Sequence, residues 1–189
     1  MFARTERLLL RPGWMQDAPA LFRAIADEGI VRNLASVPWP YSREHAEAFL
    51  AAERGPGEPK FLIFLRTAAA PQLVGAIGIA CRRGDQPELG YWIAKRFWGR
   101  GFATEAGGAV IQLARDSLRL TRMGASHFAD NPASGRVLEK LGFRSTGVVV
   151  PRYSAGRREA APCRLFELEL AEPEVRAPVR DCLQMMAAA

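Results

Sequence analysis

The stretch ELGYWIAKRFWGRGFATEA, residues 88–106, constrains the fold more than any other part of the chain. Its first six residues are apolar and aromatic and read as a strand, whereas the alanine-rich pattern over 103–117, with Val110, Ile111 and Leu113, reads as a helix. Gly99 and Gly101 interrupt both patterns, and Lys95, Arg96 and Arg100 crowd the same turn. A strand that passes through a glycine turn into a helix commits its surroundings to an α/β arrangement. Several backbone N–H groups and the positive end of the helix dipole then converge on one spot, where an anion is favoured.

The rest of the chain supplies elements to pack around that unit. Residues 7–11 read as a short strand, and Asp17 is placed to cap a helix over 18–27, whose Leu21, Phe22 and Ile25 recur at helical spacing. A second helix is expected over 42–54. Between the two helices, the prolines of VPWPY stiffen a segment that presents Trp39 and Tyr41 to the core or to a ligand. After Gly55-Pro56-Gly57, strands over 60–67, 73–82 and 88–93 should form an antiparallel meander. Gly107 and Gly108 cost the following helix about 1 kcal/mol each relative to alanine, which tight packing against the sheet would explain. A strand over 123–128 follows, then a helix opened by Asn131-Pro132 and stopped before Gly142. Strands over 144–150 and 164–170 close the sheet. The expected fold class is α/β (α+β), a mixed and mostly antiparallel sheet flanked by about four helices. One domain is expected over 1–170, with 171–189, which holds Pro173 and Pro178, as a partly ordered tail.

Composition narrows the partners. The chain has 189 residues, which suits one core, and its net charge of +6 is compatible with an anionic ligand or with nucleic acid. Its arginines are spread along the chain instead of clustered, which weakens the nucleic-acid reading, and no DNA partner is expected. No apolar run approaches the ~20 residues of a membrane helix, and Arg4, Glu6 and Arg7 stand where a signal peptide would need its apolar core. A cytoplasmic protein with no membrane partner is expected. Cys81, Cys163 and Cys182 lack any CxxC spacing, so neither a disulfide framework nor a metal site is indicated.

Three readings compete for the glycine turn. A Walker loop ends in Gly-Lys-Ser/Thr, but Phe102 and Ala103 follow Gly101 here. A dinucleotide fingerprint needs Gly or Ala where Thr104 stands, and it follows the first strand of a parallel sheet. By spacing alone, the turn equally describes a tight strand-to-helix connection.

Three separated motifs tip that balance. Together, ELGYWI (88–93), RFWGRGFATEA (96–106) and NPASGRVLEKLGF (131–143) resemble the GNAT superfamily of acetyl-CoA-dependent N-acetyltransferases. TERLLLRP (5–12) resembles its branch that includes ribosomal-protein N-terminal alanine acetyltransferases. The resemblance covers about residues 4–170 and implies a splay between the strands over 88–93 and 123–128, into which the pantetheine arm of acetyl-CoA inserts. It implies that Arg96, Trp98, Gly99, Arg100 and Gly101 bind the pyrophosphate, with Phe102, Ala103 and Thr104 opening the helix behind them. It also implies that backbone groups at Trp92, Ile93 and Ala94 pair with the pantetheine amides, and that Asn131 and Ser134 belong to the same cosubstrate site.

Amine acetylation by a thioester needs a neutral amine, a polarised carbonyl and a proton for the leaving thiolate. Glu88 is the first candidate base, because its strand leads toward the splay; it could also be an exposed strand-start carboxylate. His127, at the end of the facing strand, has the better intrinsic pKa, and could equally be a packed histidine near the substrate. A backbone N–H near Ile93 would meet the carbonyl oxygen. Many family members place a tyrosine on the helix after the asparagine as the acid; Leu138 stands there, so Ser134 is the substitute. Asn131 would bond the pantetheine or a water, or cap its helix. Glu105 is expected to complement the helix dipole. Trp39 and Tyr41, with Trp14 and His45, would wall the acceptor site.

The expected activity is transfer of an acetyl group to a primary amine, either a protein N-terminus or a small molecule, by direct attack. A non-catalytic acyl-CoA sensor on the same fold, favoured by the missing tyrosine, and a basic RNA- or ribosome-binding module are the alternatives. The sequence leaves the oligomeric state open, a sheet-mediated homodimer included.

Overall fold

The computed structural model describes residues 1–53, 55, 57–81 and 86–170. At its N-terminal edge β1 (Ala3–Arg4) hairpins onto β2 (Leu8–Arg11), whose Leu8 and Leu10 are fully buried while Leu9 and Arg11 are half-buried. The small β1 carries no alternation long enough to be read from the sequence. Asp17 does not cap the first helix. It accepts a hydrogen bond from Trp14 N at 2.8 Å and pairs with Arg11 at 2.8 Å, which closes a 3-10 turn ahead of α1 (Ala18–Ile25). α1 ends two residues before the expected boundary, and a separate turn, α2 (Glu28–Val31), begins where Asp27 Oδ1 accepts from Gly29 N at 2.8 Å. α3 (Arg43–Ala51) starts at its expected cap, with Ser42 Oγ accepting from His45 N at 3.4 Å. The expected end of this helix at Arg54 lies outside the described residues.

The apolar runs KFLIFL and QLVGAIGIA become β3 (Lys60–Leu65) and β4 (Gln72–Ala80), which with β5 (Glu88–Ile93) form the expected antiparallel meander. Arg82, the expected end of the second strand, lies outside the described residues. β3 and β4 are buried almost throughout because helices cover both faces of the sheet. α4 (Phe102–Asp116) then crosses over to β6 (Arg122–Phe128), and this crossover makes β5 and β6 parallel, unlike every other pair in the sheet. α5 (Pro132–Lys140) leads into β7 (Arg144–Ser154) and β8 (Glu159–Glu169), each of 11 residues and longer than the expected strands over 144–150 and 164–170. Pro151 and Pro162 sit opposite each other in the β7/β8 register, so the ladder continues around them. The sheet order is β1-β2-β3-β4-β5-β6-β8-β7.

Register alternation assigns the faces. Lys60, Gly78 and Gly90 are aligned across β3, β4 and β5, and Lys60 reaches the Phe49 carbonyl of α3, so α3 lies on that face. Tyr91 points the other way and meets Ser134 of α5. The core gathers Phe61, Ile63, Ile77, Val110, Met123 and Leu138, all essentially inaccessible. Among the described residues no helix is long and apolar enough to cross a membrane, and the expected tail over 171–189 lies outside them.

Candidate active site

The meander and the β6-β8-β7 group meet at β5 and β6 through only two registered pairs, Glu88↔Gly124 and Leu89↔Ala125. Beyond them the strands part. Ala94 N donates to Val74 O at 2.8 Å on one side of β5, while Pro87 O accepts from Gly124 N at 2.8 Å on the other. Backbone groups alternate sides along a strand, so Trp92 and Ala94 face β4, and Tyr91 and Ile93 face the gap. The expected edge of Trp92, Ile93 and Ala94 is therefore corrected to Tyr91 and Ile93. The Ile93 carbonyl already accepts from the Trp98 indole at 2.6 Å, which leaves its N–H as the group directed into the gap.

A cavity of about 700 Å3 runs through this gap, from residues 97–104 on the α5 face to the space beneath α1 and α3. At its first end Gly99 and Gly101 have φ of +73° and +80°, a region that L side chains rarely adopt, and a Cβ on Gly99 would project into open space. The first bond of α4 runs from Glu105 N to Gly101 O at 3.0 Å, so the amides of Phe102, Ala103 and Thr104 precede the helix's own ladder. These three residues, Trp98 and Arg100 all line the cavity; Arg96 and Ala94 do not. The Arg96 guanidinium lies 4.8 Å from the Phe97 ring centroid and does not line the cavity.

The opening motif acts behind this turn. Glu105 accepts from Thr5 Oγ1 at 2.5 Å, Arg7 N at 2.9 Å and Arg7 Nε at 2.7 Å, and Arg7 also donates to the Arg100 carbonyl at 3.1 Å. Burial pushes the Glu105 carboxyl up, but the hydrogen bonds from Thr5 and Arg7 and the guanidinium charge outweigh it and hold the pKa below the usual range. Glu105 is thus a clasp between β2 and the turn, a larger role than the expected dipole complement.

On the far side of the gap, Asn131 Oδ1 accepts from Ser134 N at 3.4 Å and caps α5. Ser134 Oγ lies 2.8 Å from the Tyr91 hydroxyl. Sequence reading missed Tyr91, although its alternation with Gly90 and Trp92 along ELGYWI was a usable signal. Burial pushes this phenol up to about 12, against a smaller pull from Ser134, so it stays protonated at neutral pH. Leu138, where the tyrosine was looked for, is 1% exposed and belongs to the core. His127 Nδ1 lies 2.8 Å from the Phe128 carbonyl, which can only accept, so Nδ1 carries a proton. Its ring packs beneath α5, where a Cβ on Gly135 would come within 2.8 Å of Nε2.

Glu88 lies on the opposite face from His127. Arg152 of β7 grips its carboxylate with two 2.9 Å bonds and also donates to Ser126 Oγ at 2.9 Å. Nothing in the sequence announced Arg152, which reaches Glu88 only through the long β7/β8 hairpin. Tyr41 lines the cavity on this face, and burial raises its pKa to about 12. The other expected aromatics do not line it: Trp39 packs against the core, Trp14 is half exposed under the Arg11 guanidinium, and His45 accepts from Ser42 N at 3.0 Å at the start of α3. Among the described residues no group of three or more His, Cys, Asp or Glu side chains could hold a metal ion.

Comparison with known proteins shows the family and the fold. The family model of the acetyltransferase (GNAT) domain matches residues 7–144. The uncharacterized N-acetyltransferase YoaA of Bacillus subtilis (strain 168) is 33% identical over 77% of this chain and 84% of its own length. In structure, a GNAT-family acetyltransferase from Bacillus anthracis superposes with a TM-score of 0.76 at 24% identity, covering 89% of this chain and 98% of that one. The RimL ribosomal L7/L12 alpha-N-protein acetyltransferase, solved with coenzyme A, gives a TM-score of 0.71 at 18% identity, over 90% and 98% of the two chains.

Proposed function

The chain belongs to the GNAT acetyltransferase family, and from that premise we propose that it transfers the acetyl group of acetyl-CoA to a primary amine by direct attack in a ternary complex. The observation that carries this reading is the gap itself. After two registered pairs, β5 turns an edge with the backbone groups of Tyr91 and the N–H of Ile93 toward open space, where a pantetheine arm can join as a strand would. The glycine turn suits the diphosphate, since Gly99 leaves room for its oxygens and the first amides of α4 point ahead of the helix ladder. The L7/L12 acetyltransferase of the same fold was solved with coenzyme A, which supports the same cosubstrate here.

Acetyl-CoA supplies an activated carbonyl and a thiolate leaving group. The Ile93 N–H stabilises the carbonyl oxygen as it gains charge. Glu88, oriented by Arg152, takes the proton of the incoming ammonium directly or through water. The Ser134 hydroxyl donates to the sulfur, with the Tyr91 phenol as its own donor behind it. Asn131 fixes the first turn of α5 and so the position of Ser134. Burial and the nearby Glu58 push the Cys81 thiol up, which argues against a covalent acetyl-cysteine at that residue. The case for a non-catalytic sensor rested on Leu138, and Tyr91 beside Ser134 weakens it.

A free-thiol release assay with acetyl-CoA against pooled amines and peptides tests the reading. Amine-dependent release supports transfer. Coenzyme A binding with no release from any acceptor would return the sensor.

A further inference from the structure

We infer that the acceptor is a small primary amine with a flat apolar body and no second positive charge, seated over Gly90 on the α3 face of the sheet, an inference that rests on the acetyl-transfer reading above. Gly90 lies in the middle of β5, an internal strand between β4 and β6, yet it is exposed and a Cβ built on it meets nothing within 4 Å. The face of an internal strand is ordinarily filled by side chains. Here the floor beside Gly90 is made of small residues of β4, with Gly78 opposite it in register and Ala76 and Ala80 on either side, and Trp92 bounds one end on β5. The cavity occupies the missing volume, and Leu21, Ile25, Tyr41 and Phe49 form its apolar walls. A planar hydrocarbon fits such a floor.

Glu88 stands on the same face two residues along the strand, a spacing of about 6.6 Å. A ring lying over Gly90 with its amine on a short linker therefore brings the nitrogen to the proposed base and to the gap where the thioester carbonyl arrives. Charge excludes the competing acceptors. Among the described residues that line the cavity, Glu88 is the one carboxylate, and it is already paired with Arg152. A polyamine or aminosugar would bring further ammonium groups past a lining whose one described carboxylate is already paired. A peptide N-terminus has no ladder to join on this floor, because β4 and β5 are paired with each other along it.

The test compares phenethylamine, spermidine and a peptide with a free N-terminus in the thiol-release assay, with wild type and Gly90→Val. Wild type should favour phenethylamine in kcat/KM by roughly tenfold or more, and Gly90→Val should raise its KM by roughly tenfold. The variant should bind acetyl-CoA as wild type does in calorimetry and melt at the same or a higher temperature, because valine suits a strand better than glycine. A strand residue of purely structural importance would not give that split. Preference for spermidine or the peptide, or an unchanged KM in Gly90→Val, overturns the inference. Should no amine release thiol, the transfer reading fails, and saturation-transfer NMR on the coenzyme A-saturated protein decides the rest. Phenethylamine binding that Gly90→Val removes upholds the chamber, and absence of binding to wild type overturns it too.

Discussion

At the scale of single residues, Tyr91 and Ser134 form a pair that neither could replace alone. A serine hydroxyl has one proton, and giving it to sulfur is favoured while another donor bonds its oxygen. The Tyr91 phenol is 2.8 Å away, and burial keeps it protonated up to about 12. Tyr91→Phe removes the donor while keeping the ring, so kcat should fall about tenfold, the worth of one hydrogen bond of about 1.4 kcal/mol, with acetyl-CoA affinity unchanged. Steady-state kinetics with calorimetry checks this, and an unaltered kcat would remove Tyr91 from the proton path. Glu105 illustrates how a carboxylate couples the fold to pH. Its pKa is lowered in the folded protein, so its contribution to stability is complete above the pKa of the unfolded chain and is lost as pH falls through the lower, folded value. Denaturant titrations at descending acidic pH should show wild type losing stability that Glu105→Gln never had.

At the scale of elements, α4 separates two glycines that the sequence presents as one pair. Gly107 is buried, and a Cβ there would come within 2.5 Å of Leu141 Cδ1 at the end of α5, whereas Gly108 is exposed and a Cβ there meets nothing within 4 Å. The expected close packing is real for Gly107, but against α5 instead of the sheet. Gly108→Ala should stabilise the protein by roughly 0.5–1 kcal/mol and Gly107→Ala should destabilise it, as urea unfolding of both variants would reveal. Apolar spacing marked α1 and α4, which bury four and six residues, while α5 was marked by Pro132 and Gly142 at its ends and not by a wide buried face. β1 and α2 left no pattern: two residues and a single turn are held by Asp27 and by pairing with β2, not by a face of their own. The length of the β7/β8 hairpin was hidden for a different reason, since β7 is exposed along most of its length and leaves no buried alternation.

At the scale of the whole molecule, the glycine turn was legible because it comes from local chain direction, a strand entering a helix, whereas the gap was expected only from the resemblance of three motifs to the GNAT superfamily. The Glu88–Arg152 grip and the Thr5–Glu105 clasp were not legible, because they join residues 64 and 100 positions apart and depend on how the sheet halves meet. Only two backbone pairs hold β5 to β6, so a ligand that bridges the two edges should stiffen the whole sheet. By mass action, coenzyme A at 100 times its Kd adds about 2.7 kcal/mol to folding stability, which for a chain of this size raises Tm by roughly 5–10 °C. Gly101→Glu puts a side chain on a backbone with φ of +80°, its Cβ 3.5 Å from Arg7 Nη2 behind the turn, and so displaces the amides that would meet the diphosphate. Some loss of basal stability follows from that backbone, so the measurement is the shift and not the starting Tm. The variant should lose most of the coenzyme A shift while its circular dichroism stays native. A full shift in Gly101→Glu would mean that the diphosphate is held elsewhere, and the turn would then be a connection between strand and helix and nothing more.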